Sequence, residues 1–354
     1  MSSIAVAMSG GVDSSTAAAI LLEQGYDVVG VSLHLWQEGQ NASEKSETVE
    51  QARKVAAQLG IPFEAIDARE HFHACVVRPF VQDYLKGITP SPCVGCNRTV
   101  KWKTMLDYAR REKIDYVATG HYARLKQDEK GAVHLLRGSD AGKDQAYMLA
   151  FLGQRELVQT LLPIGGYAKT EIRAIARRFG LEAAERSDSQ DLCFLPGGDY
   201  RQFLRQNALD AIQTGEIVNL SGEVLGMHEG LAFYTIGQRK GLGISTAEPV
   251  YVIKKDIDTN QLVVAEKAAL GKTSFVVGQV NWIQGRPSWQ ALRAQVKIRY
   301  RAPLIWGQLA VLESGQVHVG LDAAQAAITP GQVAVFYLGD EVLGGGIIQL
   351  AGRE

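Results

Sequence analysis

A loop near the start of the chain combines glycines, hydroxyl side chains and one carboxylate, which suits phosphate binding. It reads Ser9-Gly10-Gly11-Val12-Asp13-Ser14-Ser15, between a strand-like run at residues 4–8 and a helical pattern at residues 14–23. Glycines let the backbone approach a phosphate, while the hydroxyls and the N–H groups at the helix start donate to it. Aspartate would repel phosphate unless a cation bridged them, which predicts Mg2+. An ordinary capped turn is the weaker explanation, and the missing lysine argues against a Walker loop.

Two cysteines in the first half of the chain lie in a loop suited to sulfur chemistry. Cys93 and Cys96 form a C-x-x-C within residues 89–97, where two prolines stiffen the chain ahead of a basic helical pattern. The basic residues that follow are Arg98, Lys101 and Lys103. Positive charge and a nearby helix N-terminus favour the thiolate, so the pattern predicts a lowered thiol pKa and a nucleophile near neutral pH.

The other two cysteines differ in setting. Cys193 lies in the polar segment DSQDLCF, whereas Cys75 falls on the apolar side of a helical pattern at residues 71–86 and is expected in the core. A structural zinc site needs four ligands, and the chain has no second C-x-x-C. The proline-rich lead disfavours a thioredoxin-like motif. The remaining interpretation is that Cys96 and Cys193 cooperate in carrying sulfur.

The elements that must position these residues follow an alternating pattern in the first half of the chain. Strands are predicted at residues 4–8, 28–35, 63–67 and 116–119, and helices at residues 14–23, 47–59 and 71–86. This alternation predicts an α/β doubly wound parallel sheet, which residues 151–186 extend with helices. From residue 215 onward, short strands and regular turns predict a small β-rich domain and a C-terminal β-barrel. We place the domains at residues 1–199, 200–271 and 272–354.

Composition narrows the class of protein. The chain has 354 residues, 46% of them hydrophobic, which suits two or three globular domains and argues against wholesale disorder. No apolar run is long enough for a membrane span, and the start resembles no secretory signal, so we expect a cytoplasmic protein without a membrane partner. Four cysteines are too few for a disulfide scaffold. The net charge of −1 leaves open whether basic residues gather on one face.

Basic residues do gather in three stretches of the sequence. Between residues 286 and 301 there are five cations and no carboxylate, interleaved with Trp289 and Tyr300. Cations bind phosphates and aromatic rings stack on splayed bases, so this stretch predicts RNA binding. A second stretch lies at residues 98–113 beside the cysteine loop, and a third at residues 169–178. Arg239 and Lys240 are predicted in a glycine-flanked hairpin near the RNA or the active-site loop.

Six motifs together resemble one enzyme family. They are SGGVDSS (9–15), PCVGCN (92–97), ATGHYAR (118–124), KDQAY (143–147), DSQDLCF (188–194) and YTIGQRKGLG (234–243). The loop is similar to that of ATP-pyrophosphatases, and the whole set, spanning residues 4–346, resembles tRNA-specific 2-thiouridylases. The resemblance implies that ATP, with Mg2+, adenylates the C2 oxygen of the wobble uridine in a tRNA anticodon stem-loop. A cysteine persulfide, loaded by a cysteine desulfurase or a sulfur relay, then replaces that oxygen.

The resemblance also implies site residues by position. Cys96 would be the nucleophile and Cys193 the persulfide carrier, able to close a disulfide with Cys96 during turnover. The residues expected to bind ATP are Ala7, Met8, Ser9, Gly10, Gly11, Val12, Asp13, Ser14, Leu33 and Gly120. Those expected to contact tRNA are His121, Lys143, Asp144, Gln145, Arg299, Tyr300 and Gln332.

One position leaves the sulfur step open. Some members of the family carry an acid/base aspartate where this chain has Cys93, so here that role is vacant or belongs to another group. Cys93, Cys96 and Cys193 could together hold a 4Fe-4S cluster with one open iron, an alternative to the persulfide route. We prefer the persulfide because it needs only two thiols.

Two other functions were considered for the whole chain. An amidotransferase-linked synthetase is disfavoured by the paired cysteines, and a non-catalytic, metal-stabilised RNA-binding module is disfavoured by the phosphate loop.

Overall fold

A computed structural model describes residues 1–36, 46–186, 192–195, 197–326 and 328–349. Residues 188–191 of the DSQDLCF motif and the last five residues lie outside the described ranges. The first part of the chain carries seven strands within those ranges. They are β1 (Ser3–Ala7), β2 (Asp27–His34), β3 (Phe63–Asp67), β4 (Tyr116–Thr119), β5 (Ala123–Gln127), β6 (Val133–Arg137) and β7 (Thr160–Leu161).

Nine α-helices accompany these strands in the described ranges. They are α1 (Val12–Glu23), α2 (Glu47–Leu59), α3 (Arg69–Phe72), α4 (Arg78–Leu85), α5 (Pro92–Cys96), α6 (Lys103–Glu112), α7 (Gln154–Leu157), α8 (Lys169–Arg178) and α9 (Tyr200–Ala208). Two π-helical segments, His73–Val77 and Asn97–Trp102, join α3 to α4 and α5 to α6. Short 3-10 turns occupy Ala146–Leu149, Glu182–Glu185, Leu209–Ala211, Leu231–Phe233 and Lys267–Leu270.

The first sheet is parallel and has the order β3-β2-β1-β4-β7. Its central strand β1 is apolar on both faces, with Ile4, Ala5 and Val6 fully buried, because helices cover both sides of the sheet. The chain runs from β1 outward through β2 and β3 and later returns on the other side of β1 as β4. The carboxyl ends of β1 and β4 therefore form a switch point, where such sheets bind ligands.

The doubly wound sheet predicted from the sequence is confirmed. The segment at residues 151–186 is less helical than predicted, because it also supplies β7 to the sheet edge. The β5–β6 hairpin had no counterpart among the predicted elements. It leaves the parallel sheet and pairs with a strand of the C-terminal barrel through Leu136 and Glu341.

The middle part forms a four-stranded sheet in the order β10-β11-β8-β9. Its strands are β8 (Gly215–Val218), β9 (Val224–His228), β10 (Val250–Asp256) and β11 (Gln261–Glu266). Residues 239 and 240 lie in an irregular loop between β9 and β10, so the predicted hairpin there is wrong. Glycines at positive φ, including Gly241 and Gly243, curve the chain into an open loop instead.

The C-terminal part closes into a six-stranded barrel in the order β12-β15-β14-β13-β16-β17, with β12 also pairing with β17. The strands are β12 (Lys272–Trp282), β13 (Ala291–Lys297), β14 (Ile305–Val311), β15 (Val317–Gln325), β16 (Val333–Leu338) and β17 (Glu341–Ile348). Alternate residues such as Val296, Leu309 and Phe336 fill the interior and are fully buried. Closure leaves the barrel without a free edge, and the predicted β-barrel is confirmed.

Candidate active site

The phosphate loop lies at the switch point, directly before α1. Gly10 adopts a φ of +72°, and a Cβ there would come within 2.6 Å of the Gln51 side chain, so only glycine fits. The Ser15 hydroxyl donates to the Gly11 carbonyl at 2.8 Å, and the Ser9 backbone N–H donates to the Ser14 hydroxyl at 3.1 Å. Gly11, the N-cap residue of α1, has no side chain to cap the helix, whose first N–H groups can therefore bind an anion.

The aspartate of this loop is held by two groups that the sequence analysis missed. Lys169, the first residue of α8, donates to Asp13 Oδ1 at 2.7 Å, and the Tyr122 hydroxyl donates to the same oxygen at 2.7 Å. Lys169 is buried. The pair places a carboxylate and an ammonium group at the mouth of the loop. Asp13 suits Mg2+, which proteins commonly bind through one or two carboxylates together with the phosphates of a substrate.

The third basic stretch, at residues 169–178, is engaged within the protein. Arg177 pairs with Glu185 at 2.8 Å, and Arg178 pairs with Glu23 at 2.7 Å. Arg173 donates to the backbone carbonyls of Ala184 and Arg186. These contacts fasten α8 and the following turn to α1 and to each other. They give this stretch a structural role within the protein, while the side chains of Arg177 and Arg178 remain exposed.

Gly120 follows β4 and touches the phosphate loop. A Cβ at this position would lie 2.6 Å from the Asp13 carbonyl carbon and from the Ser14 nitrogen. The other expected nucleotide contacts lie at the ends of β1 and β2. Ala7 and Leu33 pack at the edge of one core cluster, and Met8 donates its backbone N–H to the Val31 carbonyl at 2.8 Å.

The cysteine loop forms a short helix that runs into α6 through the π-helical segment. Cys93 lies in the first turn of α5, and Cys96 is its last residue, buried with 5% of its surface exposed. Burial raises the pKa of Cys96 to about 12, and only Lys101 works in the opposite direction. The thiols of Cys193, Cys93 and Cys75 raise it further, so the other three cysteines all lie near Cys96.

The prediction of a lowered thiol pKa is therefore wrong for this arrangement. Burial also raises the pKa of the Cys93 and Cys193 thiols, although Cys193 keeps an exposed surface. Removing a thiolate from water costs more than one neighbouring cation returns. At neutral pH the thiols are protonated, and they ionise more easily only if the site opens to water or gains positive charge. Cys75, expected in the core, is exposed.

His121 and the π-helical segment link the phosphate loop to the cysteines. The His121 ring lies next to Gly120 in the chain, packs on Trp102 at 5.5 Å, and shares a 2.9 Å hydrogen bond with the Thr119 hydroxyl. Burial lowers the pKa of His121 to about 3, with a further contribution from Lys101, so the ring is neutral. Lys101 thus lies near both His121 and the cysteine thiols. It is a second site residue that the sequence suggested only as part of a basic stretch.

The expected tRNA contacts at residues 143–145 flank this region. Asp144 is buried and accepts backbone N–H groups from Gly138 and Ala146 at 3.0 and 3.1 Å, so its carboxylate shapes the segment. Gln145 exchanges hydrogen bonds with the backbone of Tyr122. Lys143 is partly exposed in the turn before them. The segment therefore presents Lys143 outward from a rigid base.

The expected tRNA contacts of the barrel converge on the cysteine loop. Gln332 donates to the backbone carbonyls of Thr89 and Pro90 at 2.9 and 3.3 Å. Arg299 donates to the Thr329 hydroxyl at 2.5 Å, and burial lowers its guanidinium pKa against the opposing influence of Tyr147. The Tyr300 ring packs 5.9 Å from that of Tyr147. The barrel and the catalytic domain thus meet where Cys93 and Cys96 enter their helix.

No metal-binding set of three or more His, Cys, Asp or Glu side chains occurs in the described ranges. Of the three thiols proposed for a 4Fe-4S cluster, those of Cys93 and Cys193 both lie close enough to Cys96 to raise its pKa. In the same ranges, no helix is both long and apolar enough to cross a bilayer.

Three protein-family models match the chain in succession. They are described as a tRNA methyl transferase HUP domain (residues 2–197), a tRNA methyl transferase PRC-barrel domain (residues 201–266) and an aminomethyltransferase beta-barrel domain (residues 272–348). The full-length relatives carry a different activity in their names. The tRNA-specific 2-thiouridylase MnmA of Chloroflexus aurantiacus is 44% identical and covers 98% of both chains. That of Moorella thermoacetica is 45% identical and covers 97% of this chain and 98% of its own.

Among solved structures, the chain resembles a U34-tRNA thiolase from Methanococcus maripaludis that holds a 4Fe-4S cluster. The identity is 18%, the TM-score is 0.34, and the match covers 59% of this chain and 67% of the other. A match at this level carries no inference about the sulfur chemistry of this chain.

Proposed function

The chain belongs to the tRNA-specific 2-thiouridylase family, and from this premise we propose how its residues divide the reaction. The protein is an ATP-dependent tRNA sulfurtransferase that converts the wobble uridine to 2-thiouridine. The observation that carries the division of labour is the continuous contact from Asp13 through Gly120 and His121 to the segment behind Cys96. ATP binds at one end of this path and the cysteines lie at the other, so the uridine C2 carbonyl must lie between them and be reached from both.

Activation uses the phosphate loop and Lys169. The α1 N-terminus and the Ser9 and Ser14 hydroxyls bind the phosphates of ATP, and the Lys169 ammonium turns from Asp13 toward the departing pyrophosphate. Mg2+ held by Asp13 would neutralise phosphate charge. The uridine C2 oxygen attacks the α-phosphorus, pyrophosphate leaves, and the oxygen becomes part of an adenylate. This step is needed because the C2 oxygen is otherwise a poor leaving group.

Sulfur transfer uses two thiols. The terminal sulfur of a Cys193 persulfide attacks C2, and AMP departs with the oxygen. Cys96 then attacks the Cys193 sulfur, so the sulfur–sulfur bond breaks and 2-thiouridine is released. The products are a reduced sulfur on the base and a disulfide between Cys96 and Cys193. We infer that entry of the base exposes Cys96 and brings Lys101 closer to it, because the buried thiol is protonated before that point.

The tRNA surface combines Lys143, Arg299, Tyr300 and Gln332. Of these residues, Gln332 contacts the loop at residues 88–91, which leads into the helix that carries Cys93 and Cys96. An anticodon stem-loop offers phosphates for the cations and an unstacked base that must leave its stack to reach Cys96. The sulfur donor is a persulfide-bearing protein of the desulfurase or relay type, and we place the reaction in the cytoplasm.

A pyrophosphate-release assay tests the division of labour. Lys169→Met should remove tRNA-dependent pyrophosphate release, whereas Arg178→Met, on the exposed face of the same helix, should leave it unchanged. Cys96→Ser should keep pyrophosphate release and lose 2-thiouridine. If Lys169→Met released pyrophosphate at the wild-type rate, the activation step would not depend on this lysine and the proposed role would fail.

A further inference from the structure

A cysteine outside the proposed transfer pair is arranged as a nucleophile beside Cys96. Cys75 lies in the π-helical segment His73–Val77, is exposed, and has its sulfur 3.7 Å from His71 Nδ1. π-Helical turns are uncommon and often occur at functional sites. The transfer steps proposed above use Cys96 and Cys193 and leave Cys75 without a role.

His71 is fixed in the tautomer that can activate this thiol. Its Nε2 lies 2.8 Å from the Thr99 carbonyl oxygen, and because a carbonyl only accepts hydrogen bonds, Nε2 must carry the proton. In the neutral ring Nδ1 then holds a lone pair, and it faces the Cys75 sulfur. A thiol next to an oriented base is the arrangement that activates a nucleophile.

The same histidine joins the segment of Cys75 to the segment of Cys96. Thr99 lies three residues after Cys96, and its hydroxyl donates back to the Gly95 carbonyl at 2.9 Å. Val76, the neighbour of Cys75, is buried in one cluster with Cys96 and Phe194, the neighbour of Cys193. Cys75 is therefore exposed next to the buried cluster that contains Cys96. Its thiol is also among those that raise the Cys96 pKa.

We propose that Cys75 is the resolving cysteine that regenerates the enzyme after each turnover. The proposal rests on the proposed function, in which turnover ends with a disulfide between Cys96 and Cys193. The Cys75 thiol gives its proton to His71 and its sulfur attacks the Cys96 sulfur. The Cys96–Cys193 bond breaks, a Cys75–Cys96 disulfide forms, and Cys193 leaves as a thiolate ready to accept a new persulfide.

Exposure explains why a third thiol is useful. In the disulfide between Cys96 and Cys193 the Cys96 sulfur is buried, so a protein-sized reductant can attack only at the exposed Cys193. The exchange moves the exposed end of the oxidised bond to Cys75 and frees Cys193 for the next persulfide. An external dithiol protein, itself oxidised to a disulfide, can then reduce it by two electrons and return Cys75 and Cys96 to thiols. Reduction then takes place at Cys75 and no longer competes with persulfide loading at Cys193, so repeated turnover is faster.

Cys75→Ser tests this role, with His73→Ala as the matched control, because His73 is exposed on the same π-helical segment. Persulfide-loaded enzyme without reductant should make 2-thiouridine once in wild type and in both variants, which also shows that the variants fold. With a persulfide donor and a dithiol protein as reductant, repeated turnover should fall about ten-fold or more in Cys75→Ser alone.

Disulfide mapping after one turnover supplies an independent readout. After acid quenching, the wild type should contain peptides linked through Cys75 and Cys96, and Cys75→Ser should contain the Cys96–Cys193 link. Repeated turnover of Cys75→Ser within about two-fold of wild type, or only the Cys96–Cys193 link in wild type, would overturn the proposal. Loss of the single turnover in wild type would instead overturn the proposed function.

Discussion

Gly120→Ala adds one methyl group at the contact between β4 and the phosphate loop, and the structure indicates the size of the effect. The new Cβ would lie 2.6 Å from the backbone of Asp13 and Ser14, about 0.8 Å short of the 3.4 Å at which ordinary contact begins. Both neighbours are backbone atoms at the start of α1, so no flexible side chain can move away. Gly120 does not adopt a positive φ, so alanine adds no strain to the backbone at this position.

The expected cost is about 1–3 kcal/mol, as for an extra methyl group in a well-packed region. Because the loop must shift to relieve the contact, most of this cost should fall on the nucleotide site. ATP binding should therefore weaken by about five-fold to a hundred-fold, since 1.4 kcal/mol corresponds to a factor of ten. The melting temperature should fall by about 2–4 °C per kcal/mol lost.

Equilibrium binding of ATP, measured by calorimetry together with thermal unfolding, checks this expectation. Gly166→Ala is the matched control because a Cβ at that position meets nothing within 4 Å, so its ATP affinity should equal that of wild type. ATP affinity for Gly120→Ala within about two-fold of wild type, with an unchanged melting temperature, would refute the close packing of Gly120 on the loop.

Three further predictions concern the transfer cysteines, the tRNA surface and a buried lysine. Cys96→Ser and Cys193→Ser should each lower 2-thiouridine formation by more than about a hundred-fold while tRNA binding stays near wild type, and full activity in either variant would end the two-thiol assignment. Arg299→Ala should weaken tRNA binding and reduce the slope of log affinity against log salt by about one, whereas an unchanged slope would move the tRNA surface elsewhere. Burial lowers the pKa of Lys255 from 10.5 to about 7, so above pH 7 the unfolded chain binds a proton that the folded chain lacks. Stability against urea should consequently rise between pH 7 and 9 by up to about 2–3 kcal/mol, a rise that Lys255→Met should remove and the exposed Lys254→Met should retain.

Local patterns predicted the parallel sheet closely. The bounds of α2, β3 and β4 match the predicted residues, because amphipathic periodicity and short β-branched runs are properties of the segment itself. The β5–β6 hairpin was not predicted, because its position depends on pairing with β17, about two hundred residues later in the chain. A contact over that separation leaves no local signal in a single sequence.

In the site, too, residues identified by their type were predicted, whereas those whose role depends on distant contacts were not. Glycines, hydroxyls and cysteines identified the phosphate loop and the sulfur loop by residue type. Lys169 was assigned to a charged face, because its partner Asp13 lies 156 residues earlier. The thiol pKa was misjudged because burial depends on tertiary packing. Cys75 was placed in the core because a regular helix was assumed, and the extra residue per turn in a π-helical segment rotates the faces of the helix.

In the proposed mechanism, sulfur travels to the base on Cys193 and is released from Cys193 when Cys96 attacks. It is tested most directly by loading anaerobically purified protein with isotopically labelled persulfide, adding ATP and tRNA, and following the label by peptide and nucleoside mass spectrometry. We expect labelled sulfur on the Cys193 peptide before ATP and tRNA are added, and in 2-thiouridine afterwards, without bound iron. An unlabelled Cys193 peptide together with activity that follows iron and acid-labile sulfide content would contradict it and favour the cluster route.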